Sequence, residues 1–185
     1  MIPSLGIDSP VQKGETVPYR DIPPPGCPGL PEDTTTVTVP DQGIATPADE
    51  QDGLENKTWI YGHSRWLGAP GLFFRLSELK PGDEVLVDGV VRASRTPVKQ
   101  QRYVVNELYL TDKESGEKLL TAHDESDIPD TPVLYLQTSV RETGGGKPWI
   151  LDRPTLLASV TNLVEGNLDD PCKYLLLFVK AVVAN

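Results

Sequence analysis

The chain contains few of the residues that build metal centres or disulfide-rich folds. Its 185 residues include two cysteines, Cys27 and Cys172, and two histidines, His63 and His123. Two cysteines are too few for a disulfide scaffold or a cysteine-based zinc site, and two histidines leave little for a histidine-rich metal centre. The sequence therefore predicts a protein without a cofactor.

Basic charge and long apolar runs are also scarce. The chain has 17 Lys and Arg residues against 27 Asp and Glu residues, a net charge of −10, which argues against a nucleic-acid partner. No apolar run reaches the roughly 18 residues that a membrane span requires. The first residues do not form a signal peptide. We expect either a cytosolic protein or the soluble part of a larger one whose anchor is missing.

Glycine and proline, in contrast, are abundant. The 16 glycines and 18 prolines disfavour a helical bundle and favour a loop-rich β protein. Ten of the prolines lie in the first fifty residues. Such a stretch is typical of a disordered tail, of a linker, or of an extended strap laid over a sheet. Short β-like pieces within it are predicted at 2–7 and 34–39.

After residue 57 the pattern changes to short apolar runs separated by turns. Asp88-Gly89 is predicted to be a two-residue hairpin turn, and short helical elements are expected at 72–79 and 154–164. With seven or eight strands and little helix, the sequence predicts a mainly β protein folded as a closed or nearly closed barrel. The strands from this part are predicted at 58–61, 84–87, 90–93, 102–110, 133–136 and 174–183.

One acidic segment accounts for much of the negative charge. Residues 107–130 contain eight acidic side chains and two lysines. A solvated loop is the favoured interpretation. A calcium site is the alternative, which would need carboxylates and carbonyls converging on one point. The spacing of an EF-hand is absent.

Two residues at predicted strand ends could carry chemistry. His63 directly follows the strand 58–61, and Ser139 follows the strand 133–136 after Thr138. A lone histidine in a loop, like a serine at a strand end, is more often structural than catalytic, so neither is informative alone. A nucleophile elbow, a P-loop, a dinucleotide fingerprint and an HExxH motif are all absent.

Taken in order, four segments resemble the sortases, the cysteine transpeptidases of Gram-positive cell surfaces, and in particular their actinobacterial class E/F-like members. Ile2–Val11 is similar to the opening strand of that family, and Trp59–Ser64 to the segment around its histidine. Phe74–Val85 is similar to the motif F-x-x-L-x-x-L-k-x-G-D-x-V, and Leu134–Ser139 to L-x-L-x-T-C.

The resemblance implies one domain over residues 1–185 with an eight-stranded sortase-type β-barrel, short helices and a Pro-rich N-terminal strap. Residues 1–57 would supply the first strand and the strap, and 58–140 the barrel with its histidine. Residues 141–172 would form an enlarged loop with a short helix, and 173–185 the last strand.

The resemblance also implies an activity. A sortase cleaves an LPXTG-like sorting signal through a thioacyl intermediate and joins the peptide to an amine, such as a cell-wall precursor or a pilin lysine. His63 would protonate the leaving amine and deprotonate the incoming one, and an arginine would stabilise the oxyanion. Thr138 is expected to contact substrate. The expected location is the outer face of the membrane or the cell wall, with the membrane reached only through a missing anchor.

The first departure from the family pattern is Ser139, which stands where the family has its nucleophilic cysteine. A serine hydroxyl needs an adjacent base that a third group orients, so Ser139 should be a poor nucleophile. A deliberate Cys-to-Ser change, a naturally inactive homologue and a genuine serine enzyme are all open, and we favour the first. The alternative function is a catalytically silent domain that binds a sorting peptide or a pilin.

The second departure concerns the arginine. Arg153 lies fourteen residues after Ser139, which fits the family spacing, but Pro154 and a predicted helix follow it instead of a strand. Lys173 opens the predicted last strand and could occupy the same seat, without the two-pronged geometry of a guanidinium. We favour Arg153.

Overall fold

The fold is described from a computed structural model of the chain. The residues it describes are 1–19, 26–29, 33–48, 54, 57–91, 94–113, 115–116, 132–141, 153–160, 162–163, 170 and 172–184. Within these residues, no helix combines the length and the apolar character needed to cross a bilayer.

Strands dominate the described part of the chain, and eight of them form one curled sheet, which confirms the prediction of a mainly β, barrel-like fold. The order across this sheet is β1-β4-β5-β10-β12-β9-β11, with β8 also pairing with β9. Two further pairs, β2–β3 and β6–β7, form small ribbons. The strands are β1 Val11–Gly14, β2 Thr16–Pro18, β3 Thr35–Val37, β4 Ile44–Pro47, β5 Lys57–Gly62, β6 Arg65–Trp66, β7 Ala69–Pro70, β8 Glu84–Val91, β9 Thr96–Asp112, β10 Val133–Arg141, β11 Asn162–Leu163 and β12 Leu175–Val183.

The centre of the sheet consists of β5, β10 and β12. Strand β10 runs parallel to β5 and antiparallel to β12, and β12 runs antiparallel to β9. Strand β12 is buried along most of its length, because both faces of the sheet are covered there and its sequence is almost continuously apolar. The core on the concave side draws on all of these strands.

The first residues close the gap between the two edges of the curled sheet. The sequence predicted a β-like piece at 2–7, but Pro3–Leu5 forms a 3₁₀ turn, closed by a bridge between Ile2 and Ile7. Proline suits the first turn of a helix, and Gly6 reverses the chain with φ +68°. Met1 exchanges two backbone hydrogen bonds with Leu86 of β8.

The Pro-rich strap, defined here as residues 15–40, lies against the convex side of the sheet at its described positions. At the base of its β2–β3 ribbon, the carbonyl of Thr38 accepts a hydrogen bond from the Tyr61 hydroxyl at 3.2 Å. The ammonium of Lys113 lies 4.4 Å from the centre of the Tyr19 ring. The strap is therefore attached close to where β5 and β9 end.

The two cysteines, which the sequence did not predict to pair, form a disulfide. Cys27 lies in the strap, and Cys172 lies three residues before β12. Their Cα atoms are 5.3 Å apart although 145 positions separate them along the chain. Sequence spacing could not reveal this pairing, since only the folded sheet brings the strap to the start of β12.

The predicted hairpin turn at Asp88-Gly89 is wrong. Strand β8 continues through both residues to Val91, and the chain reverses beyond that point. The pair forms a bulge instead, in which the Asp88 carboxylate accepts the backbone N–H of Gln100 at 2.6 Å. A Cβ atom at Gly89 would lie 2.8 Å from the Leu54 side chain, so glycine is needed here for packing rather than for a turn.

The helix predicted at 154–164 is shorter than expected. It spans Arg153–Ser159, and Asn162–Leu163 already pairs with β9 as strand β11. The hydroxyl of Ser159 donates to the carbonyl of Leu156 at 2.8 Å, within the last turn of the helix.

The acidic segment 107–130 is a strand in its first part, so the loop prediction is wrong for residues 107–112. Strand β9 runs to Asp112, and Glu107 accepts a hydrogen bond from Lys180 of β12 at 3.3 Å. Position 114 and positions 117–130, on which the calcium hypothesis mainly depended, lie outside the described residues.

Removing the disulfide is expected to destabilise the fold. The bridge closes a loop of about 145 residues, so Cys27→Ser with Cys172→Ser should lower the free energy of unfolding by about 2–4 kcal/mol. For a chain of this size the loss corresponds to roughly 4–16 °C in melting temperature. Circular dichroism melts with and without reductant measure it. The double variant, as control, should not respond to reductant. An unchanged melting temperature in the parent chain after both thiols are released would contradict the prediction.

Candidate active site

His63 and Ser139 meet at one edge of the central sheet. Strands β5 and β10 are parallel, with Gln137 opposite Tyr61 in the last recorded pair. One further pair of residues in the same register places Ser139 beside His63. Neighbouring strands lie about 4.8 Å apart, so both side chains can reach one bound molecule.

Two hydrogen bonds fix this edge from either side of His63. The hydroxyl of Thr138 donates to the carbonyl of Gly62 at 2.8 Å, and the hydroxyl of Ser64 donates to the carbonyl of Ser139 at 2.5 Å. The Ser64 and Ser139 hydroxyl oxygens are 3.5 Å apart. The residues before and after His63 are thus each bound to the pair 138–139.

His63 is held by the hairpin that follows it. The imidazole stacks on the indole of Trp66, with ring centres 4.6 Å apart. The carbonyl of His63 accepts the N–H of Phe73 at 3.1 Å, which closes the segment behind the β6–β7 ribbon. A Cβ atom at Gly71 would lie 2.2 Å from the same carbonyl oxygen, so only glycine permits this close approach.

Ser139 belongs to the convex, half-buried face of β10. The alternate residues Leu136, Thr138 and Val140 are buried, whereas Gln137 and Ser139 are partly exposed. The pairing of β10 with β12 shifts between Ser139 and Arg141, which marks a bulge directly after the serine. Bulges are common beside active sites because they redirect a side chain.

Thr138, expected to contact substrate, is 1% exposed. Its hydroxyl proton is used in the bond to Gly62. In this structure the side chain fastens β10 to the end of β5 from the buried side.

Lys173 lies at the same edge, but its charge is engaged elsewhere. Its ammonium is 3.6 Å from the carboxylate of Asp112, at the end of β9. Burial would raise the pKa of Asp112, but hydrogen bonds from the backbone and side chain of Ser115 and the charge of Lys173 outweigh it. The pKa of Asp112 is therefore held below its ordinary value, and the pair stays ionised at neutral pH.

Arg153 is the first residue of the helix Arg153–Ser159, as expected from the proline that follows it. Its side chain, like that of Arg141 at the end of β10, lies outside the part of the chain that the structure describes. The helix is anchored by Leu156, which is fully buried in the core.

The main cavity found among the described residues is separate from this edge. It has a volume of about 350 Å³ and lies on the concave side, where Ile60 and Leu136 face it. Since Ser139 lies on the other face of β10, this cavity does not open onto the His63–Ser139 pair. Its other walls come from the N-terminal turn, β4 and β8, with Ile2, Ile7, Ile44, Phe73, Val85 and Val87 among them.

The edge combines a hydroxyl in the position of a nucleophile with an imidazole that can transfer protons, which suits acyl transfer. Sequence reasoning found His63 and Ser139 but missed Ser64, Trp66 and Gly71. Ser64 and Gly71 have signals only in hindsight, as a small residue after the histidine and a glycine closing a short ribbon. Within the described residues, groups of His, Cys, Asp and Glu that could hold a metal ion are absent.

Comparisons with known proteins identify relatives of this fold. The Sortase domain family matches residues 1–140. The chain is similar to sortase C2 of Group B Streptococcus pilus island 1 (17% identity, all of this chain and 72% of that one, TM-score 0.49). It is similar to sortase C-1 of Actinomyces oris (16% identity, 77% of this chain, 59% of that one, TM-score 0.44). It is also similar to the SrtA sortase of the same organism (22% identity, 79% and 64%, TM-score 0.43).

The chain spans less than two thirds of the length of both Actinomyces oris structures that it matches. None of the curated proteins matches it.

Gly71→Ala is expected to displace His63, since the new methyl group would overlap the His63 carbonyl. We expect a loss of about 1–3 kcal/mol in the free energy of unfolding and a changed chemical shift of the His63 imidazole. Denaturant unfolding and NMR measure the two effects. Ala69→Ser, at an exposed position of the same ribbon, is the control and should change stability by less than about 0.5 kcal/mol. A Gly71→Ala protein with unchanged stability and imidazole signals would refute the close approach.

Proposed function

Because the chain belongs to the sortase family, whose domain matches residues 1–140, we propose that it is a transpeptidase domain acting on sorting-signal peptides of the LPXTG kind. The observation that carries the proposal is the shared edge of β5 and β10, where His63 and Ser139 lie side by side and two hydrogen bonds fix them. The acceptor in the second half-reaction is an amine, such as a cell-wall precursor or a pilin lysine.

In the proposed reaction, the nucleophile at position 139 attacks the carbonyl carbon of the scissile peptide bond. The bond to the leaving nitrogen breaks, and His63 gives that nitrogen a proton, which leaves an acyl group on residue 139. The incoming amine then attacks this acyl group and returns a proton to His63. A new amide is formed, and the side chain at position 139 is regenerated.

Ser139 makes the chain, as it stands, a weak or inactive catalyst under this proposal. A cysteine thiol ionises with an ordinary pKa of about 8.5, whereas a serine hydroxyl needs a base that a third group holds in place. We infer that this chain is a Cys-to-Ser form of an active transferase. A naturally inactive homologue and a true serine enzyme are the other two origins that the test below separates.

The oxyanion in this proposal is stabilised by Arg153. Lys173 is the rival, but the carboxylate of Asp112 already holds its ammonium at 3.6 Å. Moving Lys173 towards a substrate would leave a carboxylate that is 8% exposed without its partner, which is costly. Arg153 follows Ser139 at the family spacing.

The second candidate function is a catalytically silent domain that binds a sorting peptide or a pilin. It is favoured by Ser139 itself. In either case we place the protein on the outer face of the cell membrane or in the cell wall, on the family's account.

Restoring the cysteine tests the activity. Ser139→Cys, incubated with LPXTG-type and LAXTG-type peptides and an amine, should release cleaved or ligated product, whereas the parent chain should give little or none. Adding His63→Ala to the cysteine variant should slow the reaction by roughly 10²–10⁴-fold. Mass spectrometry of the products measures both. Peptide binding without any product from Ser139→Cys would favour the silent domain, and product from the parent chain would establish a serine enzyme.

The arginine assignment is tested in the same Ser139→Cys form. Arg153→Lys should lower kcat by about 10²–10³-fold, the range for loss of one oxyanion donor. Lys173→Gln should leave kcat within a few fold and act mainly on stability, because it breaks the pair with Asp112. Steady-state kinetics and thermal melts separate the two effects. The opposite pattern, with kcat lost only in Lys173→Gln, would move the oxyanion role to Lys173.

A further inference from the structure

Ser64 is a buried serine whose side chain is directed at a single residue of the neighbouring strand. It is 0% exposed. Its hydroxyl oxygen lies 2.5 Å from the carbonyl oxygen of Ser139 and 3.5 Å from the Ser139 hydroxyl oxygen. Both atoms that it can bind thus belong to the residue in the nucleophile position.

The backbone around Ser64 holds this hydroxyl in place. The carbonyl of Ser64 accepts the N–H of Gly71 at 2.8 Å, and His63 is tied in the same way to Phe73. Since the side chain is enclosed, its remaining freedom is rotation of the O–H bond. That rotation can direct the proton either to the backbone carbonyl or to the side-chain atom at position 139.

We propose that Ser64 is a positioning residue that sets the alignment of residue 139 and, with a cysteine at that position, stabilises the thiolate. The inference rests on the proposed function for its biological meaning, but it concerns a property that can be measured without substrate. In the resting state the hydroxyl donates to the carbonyl of residue 139. When the neighbouring thiol loses its proton, the hydroxyl turns towards the sulfur.

The direction of the effect follows from elementary electrostatics. A hydrogen bond donated to the ionised form of a group favours that form and lowers its pKa. Such bonds to a charged acceptor are stronger than bonds between neutral partners, so the thiolate can compete with the carbonyl for the same proton. A lower thiol pKa means more of the nucleophilic thiolate at neutral pH.

The competing explanation is that Ser64 only holds β10 in register at its end. Both explanations predict a loss of stability on Ser64→Ala, so stability cannot distinguish them. The pKa of a thiol at position 139 can, because a contact that only fixes the strand has no preference between the thiol and the thiolate.

The experiment compares Ser139→Cys with Ser139→Cys/Ser64→Ala in the full chain, without reductant, so that Cys27 and Cys172 stay paired and unreactive. The pH dependence of iodoacetamide alkylation gives the thiol pKa. We expect the pKa to rise by about one unit in the Ser64→Ala form, which lowers the thiolate fraction at pH 7 about tenfold.

The matched control is Ser159→Ala in the same Ser139→Cys form. Ser159 also donates its hydroxyl to a backbone carbonyl, that of Leu156 at 2.8 Å, but on the helix and not to residue 139. It should leave the thiol pKa unchanged. An unchanged pKa in the Ser64→Ala form, with lower thermal stability, would overturn the proposal and leave Ser64 a register contact.

A second variant covers the case in which Ser64→Ala does not fold. Ser64→Thr keeps the hydroxyl and should keep the thiol pKa of the parent cysteine form, whereas a folded Ser64→Thr protein with a raised pKa would overturn the proposal. These readouts are independent of peptide and amine. If Ser139→Cys alkylates with a Ser64-dependent pKa and yet gives no transpeptidation, the proposed function fails and the inference about Ser64 stands.

Discussion

The parallel pairing of β5 with β10 is the constraint on which the candidate site depends. Parallel strands finish at the same edge of a sheet, and here they belong to parts of the chain about seventy residues apart. Because side chains alternate between faces, a slip of one residue in either strand would turn Ser139 into the core and bring Val140 to the convex face. The bonds of Thr138 and Ser64 lie where the ladder ends, and there they take over from it in holding the register.

Charge is used sparingly around this edge. The chain carries ten more acidic than basic residues, and the buried Asp112 binds the cation nearest to the start of β12. Glu107 and Lys180 are paired in a similar way lower on the convex face. These pairs neutralise the sheet locally, so the excess negative charge is carried by other parts of the surface. A peptide approaching the edge therefore meets aromatic and hydroxyl groups more than unpaired carboxylates.

Strands with strong local patterns were predictable from the sequence. β5, β10 and β12 are apolar runs bounded by turn residues, and their positions match the prediction within one or two residues at most ends, although β10 extends further. Asp88-Gly89 misled the prediction because the same dipeptide suits a bulge, and only the packing of Leu54 decides between the two. The pairing of Cys27 with Cys172 and the role of Gly71 depend on contacts between distant segments, which single-sequence patterns do not contain. His63 and Ser139 were found because each directly follows a clear strand.

The disulfide makes most of the chain a covalent ring. Every peptide bond between Cys27 and Cys172 lies on this ring, including those of β5 and β10. A protease that cuts once within it opens the ring without separating the pieces, since the bridge still joins them. A nicked molecule keeps its mass apart from one added water, and the two sides of the candidate site remain tethered, so short-range reassembly replaces a bimolecular encounter. On an oxidised gel, such damage would leave a single band.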